Sequence, residues 1–256
     1  MGNKKLITCL DVRDGILTKG VKFLGNKDIG DPVEAAKKYC EQGIDEIVFY
    51  DITATHENRS TSMDVAAKVA AHVTVPFAIG GGIRSLEDFQ AAINAGACKV
   101  HINSAAVREP GLIAEAAKAF GPTCVVLSMD VQNVEPSATI PSGFEVVTNG
   151  GRNHTGMDAV EWAKRGVELG ACEVVLNSID GDGTQEGYDI PLHRAVAQVI
   201  SVPIVASGGA GTIQHIYDVL TEGGAQVALV SSMLHFGEYT VADIKNSELC
   251  AGLFER

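Results

Sequence analysis

Two stretches of the chain decide its fold: PFAIGGGIRSLEDFQAAINAGACKVHINSAAV at residues 76–107 and PIVASGGAGTIQHIYDVLTEGGAQVALVSSML at residues 203–234. Each has a short apolar run, a glycine-containing turn, an amphipathic stretch and a second apolar run. They start 127 residues apart (203 minus 76), about half the length of a 256-residue chain. GIDEIVFYDITA from Gly43 resembles GACEVVLNSIDG from Gly170 at the same offset. The sequence therefore predicts an internal duplication.

Short apolar runs rich in valine and isoleucine recur along the chain, with helical stretches between them. They lack regular polar alternation, which is typical of strands covered on both faces of a parallel sheet. Helix-start signals follow several of them, at Asp31 before Pro32 and at Ser85, Thr212 and Thr240. The eight runs are Leu6–Leu10, Glu46–Asp51, Pro76–Ile79, Lys99–Ile102, Cys124–Asp130, Glu173–Asn177, Pro203–Ala206 and Gln226–Val230.

Eight strands alternating with helices are compatible with a parallel barrel or a doubly wound sheet. The duplication at half length favours an α/β fold of the (β/α)8 TIM barrel type, built from two half-barrel repeats. We expect residues 1–256 to form one such domain, because about 250 residues is typical of the barrel. The stretch 18–31, TKGVKFLGNKDIGD, has no strand or helix periodicity and predicts either a mobile lid or a plain surface loop.

Composition excludes several classes of protein. The net charge of -12 argues against a general nucleic-acid binder, which needs a basic surface. The chain has no apolar run of about 18 residues, so no membrane span is expected. The N-terminus does not resemble a secretory signal, and the six scattered cysteines predict free thiols in a reducing compartment, so we expect a cytoplasmic protein. No spacing predicts a metal site, and no cofactor is expected.

Small residues at strand ends predict two phosphate sites. Active sites of this fold lie at the C-terminal ends of the strands. There, Gly80–Gly82 with Asn103-Ser104 corresponds in the repeat to Ser207–Gly209 with Ser231-Ser232. Glycines permit close backbone approach to an anion, whose oxygens amides and hydroxyls then bind. A single glycine triplet indicates only a tight turn, but two equivalent copies favour a substrate with a phosphate at each end.

Asp11 and Asp130 end the first and fifth predicted strands, which face each other across an eight-stranded ring. Carboxylates in a closed, apolar site can exchange protons with a substrate, so we expect acid–base catalysis by this pair. The alternative is that each caps a loop or pairs with a lysine such as Lys19. The IDGDGT segment at 179–184 lacks the ligands of a calcium loop and predicts a turn that presents Asp182 to the substrate.

Four charged residues fall where strands begin, at the opposite end of the barrel. On the residues alone, ordinary surface is the favoured interpretation, and a ring of ion pairs around the barrel axis is the alternative. The four residues are Lys5, Glu46, Lys99 and Glu173.

Eight motifs in order carry a resemblance to the cyclase subunits of imidazole glycerol phosphate synthase, in histidine biosynthesis. The likeness covers roughly residues 5–245, and the order of the motifs makes it specific although each motif is weak. The motifs are CLDVRDG at Cys9, KGVKFLGNKDIGDP at Lys19, DITAT at Asp51, GGGIRS at Gly80, INSAAV at Ile102, IDGDGTQEGYD at Ile179, ASGGAG at Ala206 and LHFGEY at Leu234.

The resemblance implies a lyase that works beside a separate glutaminase subunit, as a heterodimer. Ammonia from the glutaminase would pass through the barrel to the bisphosphorylated ribulosyl-formimino aminoimidazole carboxamide nucleotide. The products would be imidazole glycerol phosphate and an aminoimidazole carboxamide ribonucleotide.

The resemblance also implies roles for single residues. It makes Asp11 and Asp130 the catalytic pair. The implied substrate-binding residues are Lys19, Asp51, Gly82, Asn103, Ser104, Asp182, Gly183, Gly209, Ser231 and Ser232. The implied charged gate at the ammonia entrance is formed by Lys5, Glu46, Lys99 and Glu173.

The chain departs from the family pattern at several places. Cys98 replaces an aspartate that helps to dock the glutaminase, Gln132 a lysine, His101 a small residue and Gly181 an arginine. Residues 246–256 do not resemble the family's last helix. Two alternatives therefore stay open: the sister aminoaldose–ketose isomerase of the same pathway, and a weakly active barrel that mainly binds and activates a glutaminase.

Overall fold

The computed structural model describes residues 4–21, 24–54 and 61–254. Within these ranges the chain forms twelve strands and ten helices. The strands are β1 (Lys5–Arg13), β2 (Ile16–Val21), β3 (Leu24–Gly30), β4 (Glu46–Asp51), β5 (Phe77–Gly80), β6 (Lys99–Ile102), β7 (Val125–Asn133), β8 (Phe144–Thr148), β9 (Asn153–Asp158), β10 (Glu173–Ser178), β11 (Ile204–Ser207) and β12 (Val227–Leu229). The helices are α1 (Pro32–Glu41), α2 (Met63–Ala70), α3 (Leu86–Asn94), α4 (Ser104–Arg108), α5 (Gly111–Phe120), α6 (Ala159–Glu168), α7 (Ile190–Ala197), α8 (Ile213–Thr221), α9 (Ser232–His235) and α10 (Val241–Lys245).

Eight parallel strands close into a ring in the order β1, β4, β5, β6, β7, β10, β11, β12, and β12 pairs with β1. Each of the eight predicted apolar runs falls on one of these strands, so the (β/α)8 barrel is confirmed. β1 and β7 lie four positions apart in the ring, which places them on opposite walls. Helices lie between consecutive strands and pack their apolar faces against the outside of the ring.

The duplication is visible in the elements themselves. Five elements of the first half recur 127 residues later in the second half: α1, β4, α2, β5 and α3 correspond to α6, β10, α7, β11 and α8. For example, β4 begins at residue 46 and β10 at residue 173. Asp31 and Asp158, also 127 apart, both cap their helices with a carboxylate that accepts hydrogen bonds from two backbone amides. The other predicted helix caps, Ser85, Thr212 and Thr240, are also confirmed.

The prediction that residues 18–31 lack strand structure was wrong. β2 and β3 form an antiparallel hairpin that continues from β1 through the pairing of Val12 with Leu17. The register of the hairpin shifts twice, and its outer strand, LGNKDIG, has no regular alternation of polar and apolar residues, which is why no period of two is visible in the sequence. Lys22 and Phe23 of the predicted lid lie outside the described residues.

A second hairpin, β8 with β9, follows β7 on the opposite wall, and the sequence analysis missed it. Both halves of the barrel therefore carry an antiparallel hairpin after the strand that bears the aspartate. The β2–β3 hairpin extends β1 beyond the ring, and the β8–β9 hairpin extends β7. Both lie at the end of the barrel where the site residues gather.

The lumen of the barrel is filled by side chains from alternate strand positions. An apolar layer includes Ile7, Val48, Val126, Val175 and Val205, all nearly or fully buried. Such filling is usual for an eight-stranded barrel. No helix in the described part of the chain is both long and apolar enough to cross a membrane.

The chain after α10 forms turns and bends through Leu253 within the described residues, and the predicted departure from the family's last helix stays a prediction. It packs Cys250 into the core and pairs Phe254 with Lys4 beside the start of β1. The segment thus covers the N-terminal end of the barrel next to that strand.

Candidate active site at the barrel mouth

A cavity of about 280 Å³ opens at the C-terminal ends of the strands. We call it the mouth cavity. Asp11 and Asp130, from opposite walls, both line it, and so do all ten residues expected to bind substrate. The four charged residues expected at the other end do not line it. The structure thus brings the predicted catalytic and substrate-binding residues to one place.

Asp130 is held by two side-chain amides. Asn103 Nδ2 donates to its Oδ2 across 2.9 Å, and Asn177 Nδ2 donates to its Oδ1 across 3.1 Å. Asn177 is in turn oriented by Ser207, whose hydroxyl donates to Asn177 Oδ1 across 2.9 Å. Burial raises the pKa of Asp130 to about 6, although the two amides oppose the rise. Asp130 can therefore exchange a proton near neutral pH.

The Asn103 amide has a free acceptor. Its Oδ1 is buried and has no hydrogen-bond partner among the described residues. A rotation of this amide by half a turn would direct Oδ1 at Asp130 in place of Nδ2. Such a rotation allows Asn103 to donate to the ionised carboxylate and to accept from the protonated one. The Asn103 side chain contacts Asp130, and the predicted phosphate contact of Asn103 stays a prediction.

Asp11 has a different surrounding. Lys19 on β2 lies with its Nζ 3.0 Å from Asp11 Oδ2 and 3.8 Å from Asp182 Oδ1. Burial alone would lower the pKa of Lys19, but the charge of Asp11 raises it well above its ordinary value. Burial also raises the pKa of Asp182, against the effect of Lys19. Asp11 pairs with Lys19 inside the cavity, and its role in catalysis stays a prediction.

His235, at the end of α9, holds the backbone of β1 near Asp11. His235 Nε2 lies 3.1 Å from the carbonyl oxygen of Cys9, and His235 Nδ1 lies 2.6 Å from the hydroxyl of Tyr39 on α1. A carbonyl only accepts, so Nε2 carries the proton and Tyr39 donates to Nδ1. Burial lowers the pKa of His235 to about 4, so the ring is neutral at physiological pH. The sequence analysis did not single out either residue.

Two glycine-containing turns lie on the flanks of the cavity, as the repeat predicts. Gly82 has φ of 74° and Gly209 has φ of 107°, a region that favours glycine. A side chain at Gly209 would collide with the backbone of Gly187. On the first flank, the Asn149 amide of the β8–β9 connection donates to Ser104 Oγ across 3.2 Å.

Asp51 accepts hydrogen bonds on both carboxylate oxygens. Oδ1 takes one from the Ala54 amide at 3.2 Å, and Oδ2 takes bonds from the Ser62 amide at 3.0 Å and hydroxyl at 2.9 Å. Asp51 therefore links Ala54 and Ser62 as well as lining the cavity. A substrate contact from Asp51 stays a prediction.

Three arginines line the mouth cavity and were not predicted. They are Arg84 after β5, Arg108 at the end of α4, and Arg152 beside the β8–β9 turn. Arg84 and Arg108 follow the residues of the first flank, Gly82 and Ser104, in the chain, and Arg152 lies beside that flank in space. Apart from Lys19, no other lysine or arginine of the described chain lines the cavity. Arg84 belongs to the GGGIRS motif but was given no role, and Arg108 and Arg152 come from separate connections without a signal of their own.

At the opposite end, three of the four expected gate residues form an ion-pair cluster. Lys99 Nζ lies 2.8 Å from Glu46 Oε2 and 3.0 Å from Glu173 Oε2, and both glutamates are buried. We call these three residues the gate cluster. Burial raises the pKa of Glu46 despite the lysine. Lys5 is exposed and makes no ion pair with the described residues, so it lies outside the cluster.

Comparison with known proteins gives a consistent result. A family model described as "Histidine biosynthesis protein" matches residues 5–240. A curated relative from Oleidesulfovibrio alaskensis, "Imidazole glycerol phosphate synthase subunit HisF", is 55% identical over 245 residues, covering 96% of this chain and 95% of its own.

Other relatives with the same name are similarly close. The one from Nitratidesulfovibrio vulgaris is 54% identical over 245 residues, covering 96% of this chain and 95% of its own. The one from Desulfatibacillum aliphaticivorans is 53% identical over 256 residues, covering 100% of this chain and 98% of its own. The similarity thus extends over both half-barrels.

Proposed function

The chain belongs to the histidine biosynthesis protein family, and from this premise we propose that it is the cyclase subunit of an imidazole glycerol phosphate synthase. In this proposal it is a lyase. It takes ammonia from a glutaminase partner and converts the bisphosphorylated ribulosyl-formimino aminoimidazole carboxamide nucleotide. Imidazole glycerol phosphate, aminoimidazole carboxamide ribonucleotide and one water, which carries the carbonyl oxygen, leave.

One observation carries the proposal: two carboxylates from facing walls line one closed cavity, and their surroundings differ. Asp130 lies between two amides and has a pKa of about 6. Asp11 faces the ammonium of Lys19 at 3.0 Å. Carboxyl groups in unlike environments are suited to opposite proton-transfer roles in one reaction.

The roles follow from these environments. Asp130, whose raised pKa favours the protonated form, polarises or protonates the substrate as ammonia attacks the ribulosyl carbonyl. Asp11, held beside Lys19, removes protons during ring closure and cleavage of the C–N bond. Asn103 and Asn177 act as positioning residues, since they orient Asp130 and need not contact the reacting atoms.

The two flanks would hold the two phosphates. The first flank offers Gly82, Ser104 and the three arginines, and the second offers the amides of Gly183 and Gly209 with Ser231 and Ser232. Backbone amides and hydroxyls bind phosphate oxygens without requiring a basic surface, which fits an acidic protein.

The glutaminase would dock at the opposite end, where the gate cluster lies. Ammonia released there would pass Lys99, Glu46 and Glu173 and then cross the lumen to the mouth cavity. Cys98, which stands where the resembling family has a docking aspartate, is exposed at that end of β6. The affinity for the partner is therefore a separate measurement from turnover.

Incubation of the purified protein with the bisphosphorylated nucleotide and an ammonium salt tests the proposal through loss of substrate absorbance. We expect steady turnover, reduced about 10²- to 10⁴-fold in both Asp11→Asn and Asp130→Asn. Asp64→Asn on α2 is the matched control, because Asp64 is exposed and does not line the cavity. Near-normal turnover in either aspartate variant would overturn the assignment of the pair.

The same assay separates the two alternatives. The sister isomerase would turn over the aminoaldose form of the nucleotide without any ammonium. A barrel that only activates a glutaminase would show no ammonium-dependent turnover by itself. Either result would replace the proposed cyclase.

A further inference from the structure

His101 is a buried histidine in the lumen of the barrel, two residues along β6 from Lys99. Its Nδ1 lies 2.7 Å from the Tyr50 hydroxyl and 3.1 Å from the Ser128 hydroxyl. Its Nε2 is also buried, yet it has no hydrogen-bond partner in the part of the chain that the structure describes. An unpaired polar atom inside a protein costs about 1–3 kcal/mol, so it needs an explanation.

The imidazole lies between the two ends of the barrel. From the mouth side, His101 lines the mouth cavity together with Tyr50 and Ser128. From the other side, a ring nitrogen of His101 and carboxylate oxygens of Glu46 and Glu173 all lie within 4.8 Å of one another. A molecule that crosses the lumen from the gate cluster to the mouth cavity therefore passes this ring.

The neighbouring strand makes room for the ring. A Cβ atom at Gly80 on β5 would lie 2.7 Å from Tyr50 Cε1 and 2.9 Å from His101 Cβ. Real Cβ atoms do not approach other carbons so closely, so the absence of a side chain at Gly80 allows both rings to occupy the lumen. The sequence analysis placed Gly80 in a phosphate turn, and its α-hydrogen instead faces these rings.

Charge and protonation limit what can satisfy Nε2. Burial, with the nearby charge of Lys99, lowers the pKa of His101 to about 3, so the ring stays neutral. A metal ion is disfavoured, because the Lys99 ammonium already fills the space between the two carboxylates and bonds to all four of their oxygens. A small neutral molecule that can both donate and accept a hydrogen bond remains, and ammonia and water both meet this requirement. Such a molecule fits either tautomer of the imidazole.

We propose that His101 Nε2 binds ammonia inside the barrel, between the gate cluster and the mouth cavity. The lumen then holds a binding step for ammonia, and passage is stepwise rather than through an open apolar tube. This inference rests on the proposed function, which brings ammonia through the barrel. His101 would act as a positioning residue for ammonia and would not touch the nucleotide.

Nitrogen-15 NMR of protein labelled at its seven histidines tests the binding step directly. His101→Gln identifies the His101 signals by their loss. We expect the Nε2 resonance of His101 to shift saturably when ammonium chloride is added at high pH, where neutral ammonia is abundant. Potassium chloride at equal ionic strength is the control. A resonance that does not move, or moves equally with potassium chloride, overturns the proposal.

Flux through the assembled two-subunit enzyme gives a second test that uses product formed per glutamine hydrolysed. His101→Leu removes the hydrogen-bonding nitrogen and should lower this ratio about tenfold, the equivalent of one lost hydrogen bond. His101→Gln keeps a polar group near the position of Nε2 and should retain most of the ratio. A ratio in His101→Leu equal to or higher than that of the wild type would show that the imidazole does not assist the passage of ammonia, which contradicts the proposal.

The two hypotheses fail in different ways. If the wild-type protein shows no ammonium-fed turnover, the proposed function is wrong, whatever the NMR result. If turnover is present but the Nε2 resonance of His101 does not shift when ammonia is added, only the proposed binding step is wrong.

Discussion

Asn103 donates a hydrogen bond to Asp130 across 2.9 Å while its own side-chain oxygen stays buried without a partner among the described residues. The observed amide orientation suits the ionised carboxylate, and a half-turn of the amide would let Asn103 accept a hydrogen bond from the protonated carboxyl group. Neutral residues support Asp130, whereas a lysine supports Asp11. The predictions below follow from this difference and from the charges at the other end of the barrel.

Asp130→Asn should change stability in a pH-dependent way. The pKa of Asp130 is raised from 3.8 to about 6 on folding, so its contribution to stability is fully present below pH 3.8 and is lost as the pH rises through 6. The loss is about 3 kcal/mol at neutral pH. Urea unfolding of the wild type and the variant at pH 4 and pH 8 measures this effect. Relative to the wild type, Asp130→Asn should be more stable at pH 8 than at pH 4. A difference that does not depend on pH would mean that Asp130 is not buried as a carboxylate.

Asn103→Ala should shift the pH dependence of turnover. The amide lowers the pKa of Asp130, so its removal raises that pKa further, by about one unit for one hydrogen bond. The limb of the kcat profile that reports Asp130 should move to higher pH, with little change in KM. Asn177→Ala should move it in the same direction, since that amide also lowers the pKa. A rise in KM with an unmoved profile would instead place Asn103 in substrate binding.

Lys99→Met should destabilise the protein, because Glu46 and Glu173 would face each other while buried and without their cation. Removal of one partner from a buried ion pair costs about 3–5 kcal/mol, and the partial exposure of Lys99 places the expected loss at the lower end. Urea unfolding measures it. Adding Glu46→Gln to this variant should restore part of the loss. A Lys99→Met protein as stable as the wild type would show that the cluster has no structural role.

Gly80→Ala should cost about 1–3 kcal/mol, because the added methyl group would press on the Tyr50 ring and on His101 Cβ. His101→Gly in the same chain removes the Cβ contact and should reduce the stability that Gly80→Ala costs. A double-mutant cycle from thermal or urea unfolding gives the coupling between positions 80 and 101. Additive effects would mean that the two side-chain positions do not compete for space.

The ring and its helices could be predicted from the sequence because buried parallel strands and capped helices have strong local signals. The eight apolar runs, the caps at Asp31 and Ser85, and the 127-residue repeat all correspond to elements of the structure. The two hairpins could not, since their registers shift and their outer strands, β3 and β9, contain glycine and polar residues without regular apolar alternation. Local pattern is weak where pairing depends on the partner strand.

For the site, strand-end positions identified Asp11 and Asp130 because barrel geometry brings such positions together. Their partners were harder to find. Asn177 and Ser207 were visible only as strand-end residues, and His235 lies on a short helix far along the chain. The hydrogen-bond network arises from side-chain rotamers, which no spacing in the sequence encodes.

The arginines around the mouth have a consequence for orientation. A perfectly duplicated barrel would bind a molecule with a phosphate at each end in either direction, since each flank would be a copy of the other. Arg84, Arg108 and Arg152 line the cavity beside one flank, and none of the other flank's residues carries a positive charge. For the bisphosphorylated substrate of the proposed function, these arginines would favour the more strongly charged end at the β5–β6 side, so the two directions of binding would no longer be equivalent.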